Sequence, residues 1–450
     1  MTDKNEPKKD AKPAAPAKPA PKKPVLQLPD PVFNESAGRL LHADRIWPTD
    51  VWPNRWRLPR YRNGAIILAA LILVPLGLSA LIGELSQFTG PIMRVILRLL
   101  AAAGVPAGWH GAASMGIWTV IKVVLVLSIV LASPIFIVWW ERKISAHMQS
   151  RFGPMYTGGF HGWLQTVADG IKLFLKENIT PLAADKWVHR LAPPVVVAPA
   201  ILAFAPVSFG RELAAADIDV GVIYIFAMAG ISVVGIMMAG WGSGNKYSLL
   251  GGLRAAAQLV SYEIPRTFSV VPVIMFAGSL NLTKIVEAQA GYWPMFVFAG
   301  PEIIPRWFIF YPVVGQIAFL IFLIASVAET NRIPFDIPEA ESELVAGFHT
   351  EYSAMKFALF FLAEYAYVFL ASCLTAAFFL GGGSPPLPAL DFIPSWAWFL
   401  SKVIGVVFVF LWFRWTFPRF RVDRLMDFNW KFLLPWTFAN IAFAGLYLLF

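Results

Sequence analysis

Apolar runs of about 20 residues recur along this chain, the length an α-helix needs to cross a hydrocarbon core of roughly 30 Å. In lipid every backbone N–H and C=O must be satisfied within the segment or by closure into a barrel. The alternating ten-residue segments of a barrel are absent. Only 14% of the residues are charged and 57% are hydrophobic, against about 25% charged in soluble domains. The expected fold is therefore an all-α polytopic membrane protein of about nine transmembrane helices: 64–83, 116–140, 191–209, 220–241, 253–278, 307–328, 355–380, 396–415 and 430–450. Trp and Tyr near several of these ends suit the interfacial belt.

Three regions are expected. Residues 1–63 are basic and rich in Pro and Ala, too poor in large apolar side chains to bury a core. They read as a largely disordered tail, or as a tether to anionic lipid or a neighbouring subunit. Residues 64–115 hold one extra span and a segment, 91–106, whose Arg94 and Arg98 suggest an interfacial helix. Residues 116–450 form the main membrane domain, a core of eight spans.

The net charge of +9 does not point to nucleic acid. Seven lysines crowd the first two dozen residues, and much of the rest lies in loops. Arg142, Lys143, Arg151, Lys172, Lys176, Lys186, Arg190, Lys246, Arg332, Arg419, Arg421 and Arg424 fall on one side of the expected topology. The positive-inside rule makes that side cytoplasmic. Nine spans then put the N-terminus inside and Phe450 outside.

One cysteine, Cys373, cannot supply the roughly four thiolates of an iron–sulfur cluster. The histidines (His42, His110, His147, His161, His189, His349) fall outside the expected spans, which disfavours a membrane haem. No G-x-x-x-x-G-K-[ST] loop is present. If redox chemistry involves this chain, a partner supplies the electrons.

Carboxylates break the oily pattern. Each costs about 2.5–3.5 kcal/mol at bilayer depth on insertion scales, so such groups point to proton or ligand passage. Glu263 lies inside the 253–278 span and Glu364 inside 355–380. Glu141 sits where a span meets the polar run Glu141-Arg142-Lys143. Pro265, two residues after Glu263, removes a helical hydrogen bond. It should free polar backbone for water beside a Ser261-Tyr262-Glu263 proton station. The segment from Glu329 to Glu351 adds Asp336, Glu339, Glu341 and Glu343, with Arg332 as the one nearby cation. Two charges about 6 Å apart at an effective dielectric of about 20 repel by roughly 2.8 kcal/mol. If these acids cluster, they should titrate as a coupled set. Ile333, Phe335 and Ile337 among them argue for a packed segment rather than a solvated one.

A further periodic stretch lies between the first two core spans. Phe160, Trp163, Leu164, Val167, Ile171, Phe174 and Leu175 share one helical face, and Gln165, Asp169, Lys172 and Lys176 the other. This is an amphipathic helix lying on the membrane surface. Its polar stripe either rests in water or docks a partner or cavity mouth.

Taken in order, Glu141-Arg142-Lys143, Gln149, Arg151-Phe152-Gly153-Pro154, Leu164-Gln165, Ala168-Asp169-Gly170, Lys172 and Lys176-Glu177 resemble the first loop of the H subunit of bacterial NADH:quinone oxidoreductase, respiratory complex I. The stretches Asn245-Lys246-Tyr247-Ser248-Leu249-Leu250-Gly251, Ser261-Tyr262-Glu263, Asn331-Arg332-Ile333-Pro334-Phe335-Asp336, Pro338-Glu339-Ala340-Glu341, Thr350-Glu351-Tyr352-Ser353 and Pro418-Arg419-Phe420-Arg421-Val422-Asp423 extend the resemblance over residues 116–450. Residues 1–115 look like an added front end.

The resemblance implies a subunit joining membrane and hydrophilic arms. It implies a chamber for quinone, the substrate, lined or supported by Glu141, Arg142, Gln149, Arg151, Asp169 and Lys172. Glu263, Asp336, Glu339, Glu341, Glu343 and Glu351 would carry the proton coupling. FMN and iron–sulfur clusters belong to partner subunits, no metal to this chain, and the location is the bacterial inner membrane. The alternatives are the equivalent subunit of a related membrane-bound hydrogenase or oxidoreductase, and a stand-alone proton-coupled transporter. The transporter should show an inverted repeat, and none is legible.

Overall fold

The computed structural model describes residues 110–449, apart from 159, 211–212, 295–301 and 339–340. The basic tail, the 64–83 span and the 91–106 segment lie outside the described residues.

The eight remaining expected spans all overlap helices. They are α1 (His110–Met148), α3 (Lys186–Leu202), α4 (Gly221–Gly242), α5 (Lys246–Ser269) continued by α6 (Val271–Ala277), α8 (Val314–Glu329), α10 (Ala354–Phe379), α11 (Ser395–Thr416) and α12 (Val422–Phe428) continued through a π-helical turn, Asn429–Leu433, into α13 (Leu434–Leu449). Between them lie α2 (Gln165–Leu175), α7 (Leu282–Ala288) and the single turn α9 (Glu341–Leu344). Six of the described helical stretches are long and apolar enough to cross a membrane. At 17 and 16 residues, α3 and α8 are shorter. The chain is a multi-pass membrane protein. One departure from the all-α expectation is a two-stranded antiparallel hairpin, β1 (Tyr292–Pro294) with β2 (Glu302–Pro305).

Local chemistry explains several boundaries. The Asp185 carboxylate caps α3 by accepting from the backbone N–H groups of Trp187 and Val188, at 3.0 and 3.4 Å. Asn245 caps α5 in the same way through Tyr247 N–H, at 2.9 Å.

At the centre stands α10, packed against α1, α3, α8 and α11. Small residues let α4 approach its neighbours closely. A Cβ on Gly235 would stand 2.5 Å from Val196 Cγ2, and one on Gly240 would meet Gly252 Cα at 3.1 Å. By contrast, α1 leaves Val120, Val123, Val124 and Ile135 exposed, a face suited to lipid.

Pro265 leaves the carbonyl of Ser261, one turn earlier, without its helical donor. The side-chain amide of Asn429, from the π-helical turn, donates to that oxygen at 2.6 Å. The carbonyl that Pro265 frees is therefore paired by a side chain. Tyr262 also points away from Glu263, donating to the Leu425 carbonyl at 2.9 Å. Successive helical residues are rotated by about 100°, so neighbours in sequence did not become neighbours in space.

The basic residues named above, where described, lie at one end of the bundle, with the C-terminal ends of α1, α4, α8 and α11. The facing end is not free of cations, since Lys284 and Arg306 lie there. Near that end Lys402 donates to the carbonyls of Leu380, Gly382 and Ser384, at 2.6, 2.9 and 2.6 Å. Its ammonium also stands 4.0 Å from the Trp307 ring centroid.

Candidate functional site: a buried ion network and the cavity beside it

Four elements meet where α1 ends. Glu141 is buried and receives three donors. Arg414 of α11 approaches Oε1 at 2.5 Å. Arg332, from the segment after α8, reaches Oε2 at 3.3 Å, and Tyr365 of α10 donates its hydroxyl to the same oxygen at 2.9 Å. The second arm of the Arg332 guanidinium holds Glu364 at 3.1 Å. Its Cζ lies over the Tyr365 ring, 4.3 Å from the centroid. Arg332 lies between spans. Burial opposes its charge, yet the Glu364 carboxyl, the Tyr365 phenol and the Glu141 carboxyl together hold its pKa well above the usual arginine value. A buried charge requires this pairing, because removing one partner leaves the other uncompensated.

Beside this network lies a cavity of about 50 Å³, lined in part by Glu263, Glu329, Glu364, His349, Ser232 and Tyr367. That exceeds the roughly 10–15 Å³ a cavity needs to hold a water. Glu263 is half-buried and faces Gly230, where a Cβ would stand 3.2 Å from its Oε1. Three residues on, Arg266 is buried, pairs with Glu329 and lies between the rings of Phe226 and Phe322, at 5.4 and 5.5 Å. His349, in the turn before α10, is buried against Phe348 and Phe357. Burial lowers its pKa to about 4. Glu364 belongs to both groups, ion-paired on one side and facing the cavity on the other.

The acidic segment does not crowd upon itself. Its described acids find separate polar partners from other elements. Glu329 pairs with Arg266, Asp336 with Arg419 at 3.0 Å, and Glu343 with Arg254 at 2.6 Å. Glu351 accepts from the Asn245 amide at 2.6 Å. Glu339 lies outside the described residues, and Glu341 opens α9 with its side chain undescribed. Gln258 of α5 fastens the segment by donating to the carbonyls of Ala328 and Phe335, at 2.8 and 2.7 Å.

A third constellation lies at the bundle rim. Arg142 pairs with Asp169 at 2.6 Å, and Lys172 approaches the same carboxylate at 3.7 Å. The polar side of α2 thus faces the protein. Its apolar side chains Ile171, Phe174 and Leu175 are exposed. Helix α2 starts at Gln165; Phe160 lies in a separate turn. Gln149 and Arg151 are exposed and make no side-chain hydrogen bond or ion pair among the described residues.

Sequence reasoning assigned no role to Arg266, Arg414, Tyr365, Gln258 or His349. Arg266 carried a signal, since it stands at i+3 from Glu263 on a helix. For the others, only the fold brings them into place. Among the described residues, no group of three or more His, Cys, Asp or Glu could hold a metal ion.

Fold and site define a polytopic membrane protein with a charged network buried at one end of its helices. The family model described as NADH dehydrogenase matches residues 121–445. The H subunit of NADH-quinone oxidoreductase in Bacillus cytotoxicus is 50% identical over 323 residues, 72% of this chain and 92% of that relative. Its namesake in Anoxybacillus flavithermus is 51% identical over 306 residues, 68% of this chain and 86% of the relative. The chain belongs to the family of the NADH-quinone oxidoreductase H subunit, a membrane subunit of complex I.

Proposed function

We propose that this chain walls the chamber in which quinone is reduced and converts that reduction into proton movement within the membrane arm. Glu141, Arg142, Asp169 and Lys172 stand at the chamber side, with Gln149 and Arg151 at its exposed edge. The amphipathic α2 lies on the membrane surface, its exposed apolar side in lipid. Glu263 and Glu364 carry charge inward, with Asp336, Glu343 and Glu351 setting the field around them. Glu339 and Glu341 belong to the same set by sequence. Electrons reach quinone from FMN and iron–sulfur clusters held by hydrophilic partner subunits, in the bacterial inner membrane.

One observation carries this reading: Glu364 is shared between the Arg332–Glu141 network and the cavity of Glu263. A change of charge on the network side is therefore felt at bilayer depth through a single side chain. The test is Glu263→Gln in the assembled complex. NADH-driven proton pumping should fall while the complex still assembles. Unchanged quinone reduction with unchanged pumping would refute the proton role.

A further inference from the structure

A second hollow opens on the other side of the Arg332 segment. It measures about 410 Å³, within the range of about 300–1,000 Å³ of ligand pockets. Ile324, Phe413, Phe417, Phe420 and Phe428 line it, with Arg424 as its charged member. Phe417 and Phe420 remain about half exposed, as do Trp412 and Trp415 on the last turns of α11. Such an aromatic girdle marks the level of lipid headgroups.

The charges at its rim are unevenly matched. Arg419 is held by Asp336 and Lys431 by Asp427. Arg421 and Arg424 are exposed, with no ion pair among the described residues. Asp423, between them, is the one other acid in this stretch. Two cations against one anion leave the rim one positive charge in excess.

The geometry points to a binding site for an anionic phospholipid, one acyl chain in the phenylalanine-lined hollow and the phosphate at Arg424 and Arg421. The apolar lining fits a chain with no polar atoms, and the rim fits a headgroup of opposite sign. The inner wall is formed by Pro334 and Phe335. The Phe335 ring lies 5.9 Å from that of Phe420, and Phe420 N–H donates to the Pro334 carbonyl at 3.0 Å. The lipid therefore braces the segment that holds Arg332, and the site stands independently of the quinone reading.

The experiment uses the intact complex in phosphatidylcholine nanodiscs containing phosphatidylglycerol with a photoreactive group midway along one acyl chain. Peptide mapping should place the label on residues 413–428. Arg424→Gln should lower that labelling about fivefold, the factor for one basic residue near an anionic surface. Labelling is read without turnover, so loss of pumping in Glu263→Gln leaves this result untouched. Absence of label from 413–428 in the wild-type complex would overturn the assignment. So would equal labelling by photoreactive phosphatidylcholine, displacement by a long-chain quinone, or cross-linking of Phe417 to a partner subunit's peptide. The lipid comparison on the wild-type complex decides the matter even if Arg424→Gln fails to assemble.

Discussion

The guanidinium carbon of Arg332 stands over the ring of Tyr365, 4.3 Å from its centroid, while both side chains reach the same oxygen of Glu141. From that position its other arm meets Glu364 at 3.1 Å. Orientation, as much as charge, thus links the two acids.

Tyr365→Phe keeps the ring beneath Arg332 and removes only the hydroxyl. A hydrogen bond to a charged group contributes about 1.5–3 kcal/mol. Quinone reduction by membranes should fall about tenfold or more. NADH oxidation by a soluble artificial acceptor should not change, and equal loss in both assays would show a failure of assembly instead.

Arg332→Lys should not behave as a conservative change. An ammonium is a point charge and cannot reproduce the planar fork toward Glu141 and Glu364. Pumping should fall more than in Tyr365→Phe, because the link to the cavity is cut at its middle. The ratio of protons moved to NADH oxidised, measured in vesicles for both variants, checks the order.

Gly251→Ala tests how closely α5 and the turn before α10 fit. A Cβ there would lie 2.7 Å from Gly347 Cα and from Phe348 N. These are backbone atoms that cannot swing aside. Overpacking of this kind costs about 1–3 kcal/mol. Amide exchange at 347–349 should become faster in the variant, and heat inactivation earlier.

His349 sets an acid limit on stability. Its pKa is about 4 in the folded protein because of burial, against an ordinary value of 6.5. The unfolded chain therefore binds the proton first as pH falls. The contribution of this group to stability is complete above about pH 6.5 and is lost as pH falls to about 4, by about 3 kcal/mol. His349→Gln should slow inactivation of the complex at pH 5 relative to wild type, and leave the rate at pH 8 alone.

The helices were legible because lipid forces a continuous apolar run on every crossing. Each of eight expected spans overlaps a helix, from 116–140 in α1 to 430–450 in α13, though 191–209 runs seven residues past the end of α3 and 307–328 starts seven before α8. The polar contacts were not legible, since sequence lists neighbours along the chain only. Glu329, Asp336 and Glu343 looked like acids repelling one another. They are held by Arg266, Arg419 and Arg254, which lie 63, 83 and 89 positions away. The Glu263–Arg266 proximity could be read from helical spacing, whereas Asn429 on the Ser261 carbonyl, 168 positions apart, could not.

Where α4 crosses α5, Gly240 and Gly252 meet backbone to backbone, with no side chain between them to act as a bearing. Two rods seated that deeply cannot slip past each other without larger residues entering the notch. Coupling of the kind proposed above would then pass more readily as rearranged charge and rotated side chains than as sliding of these two helices.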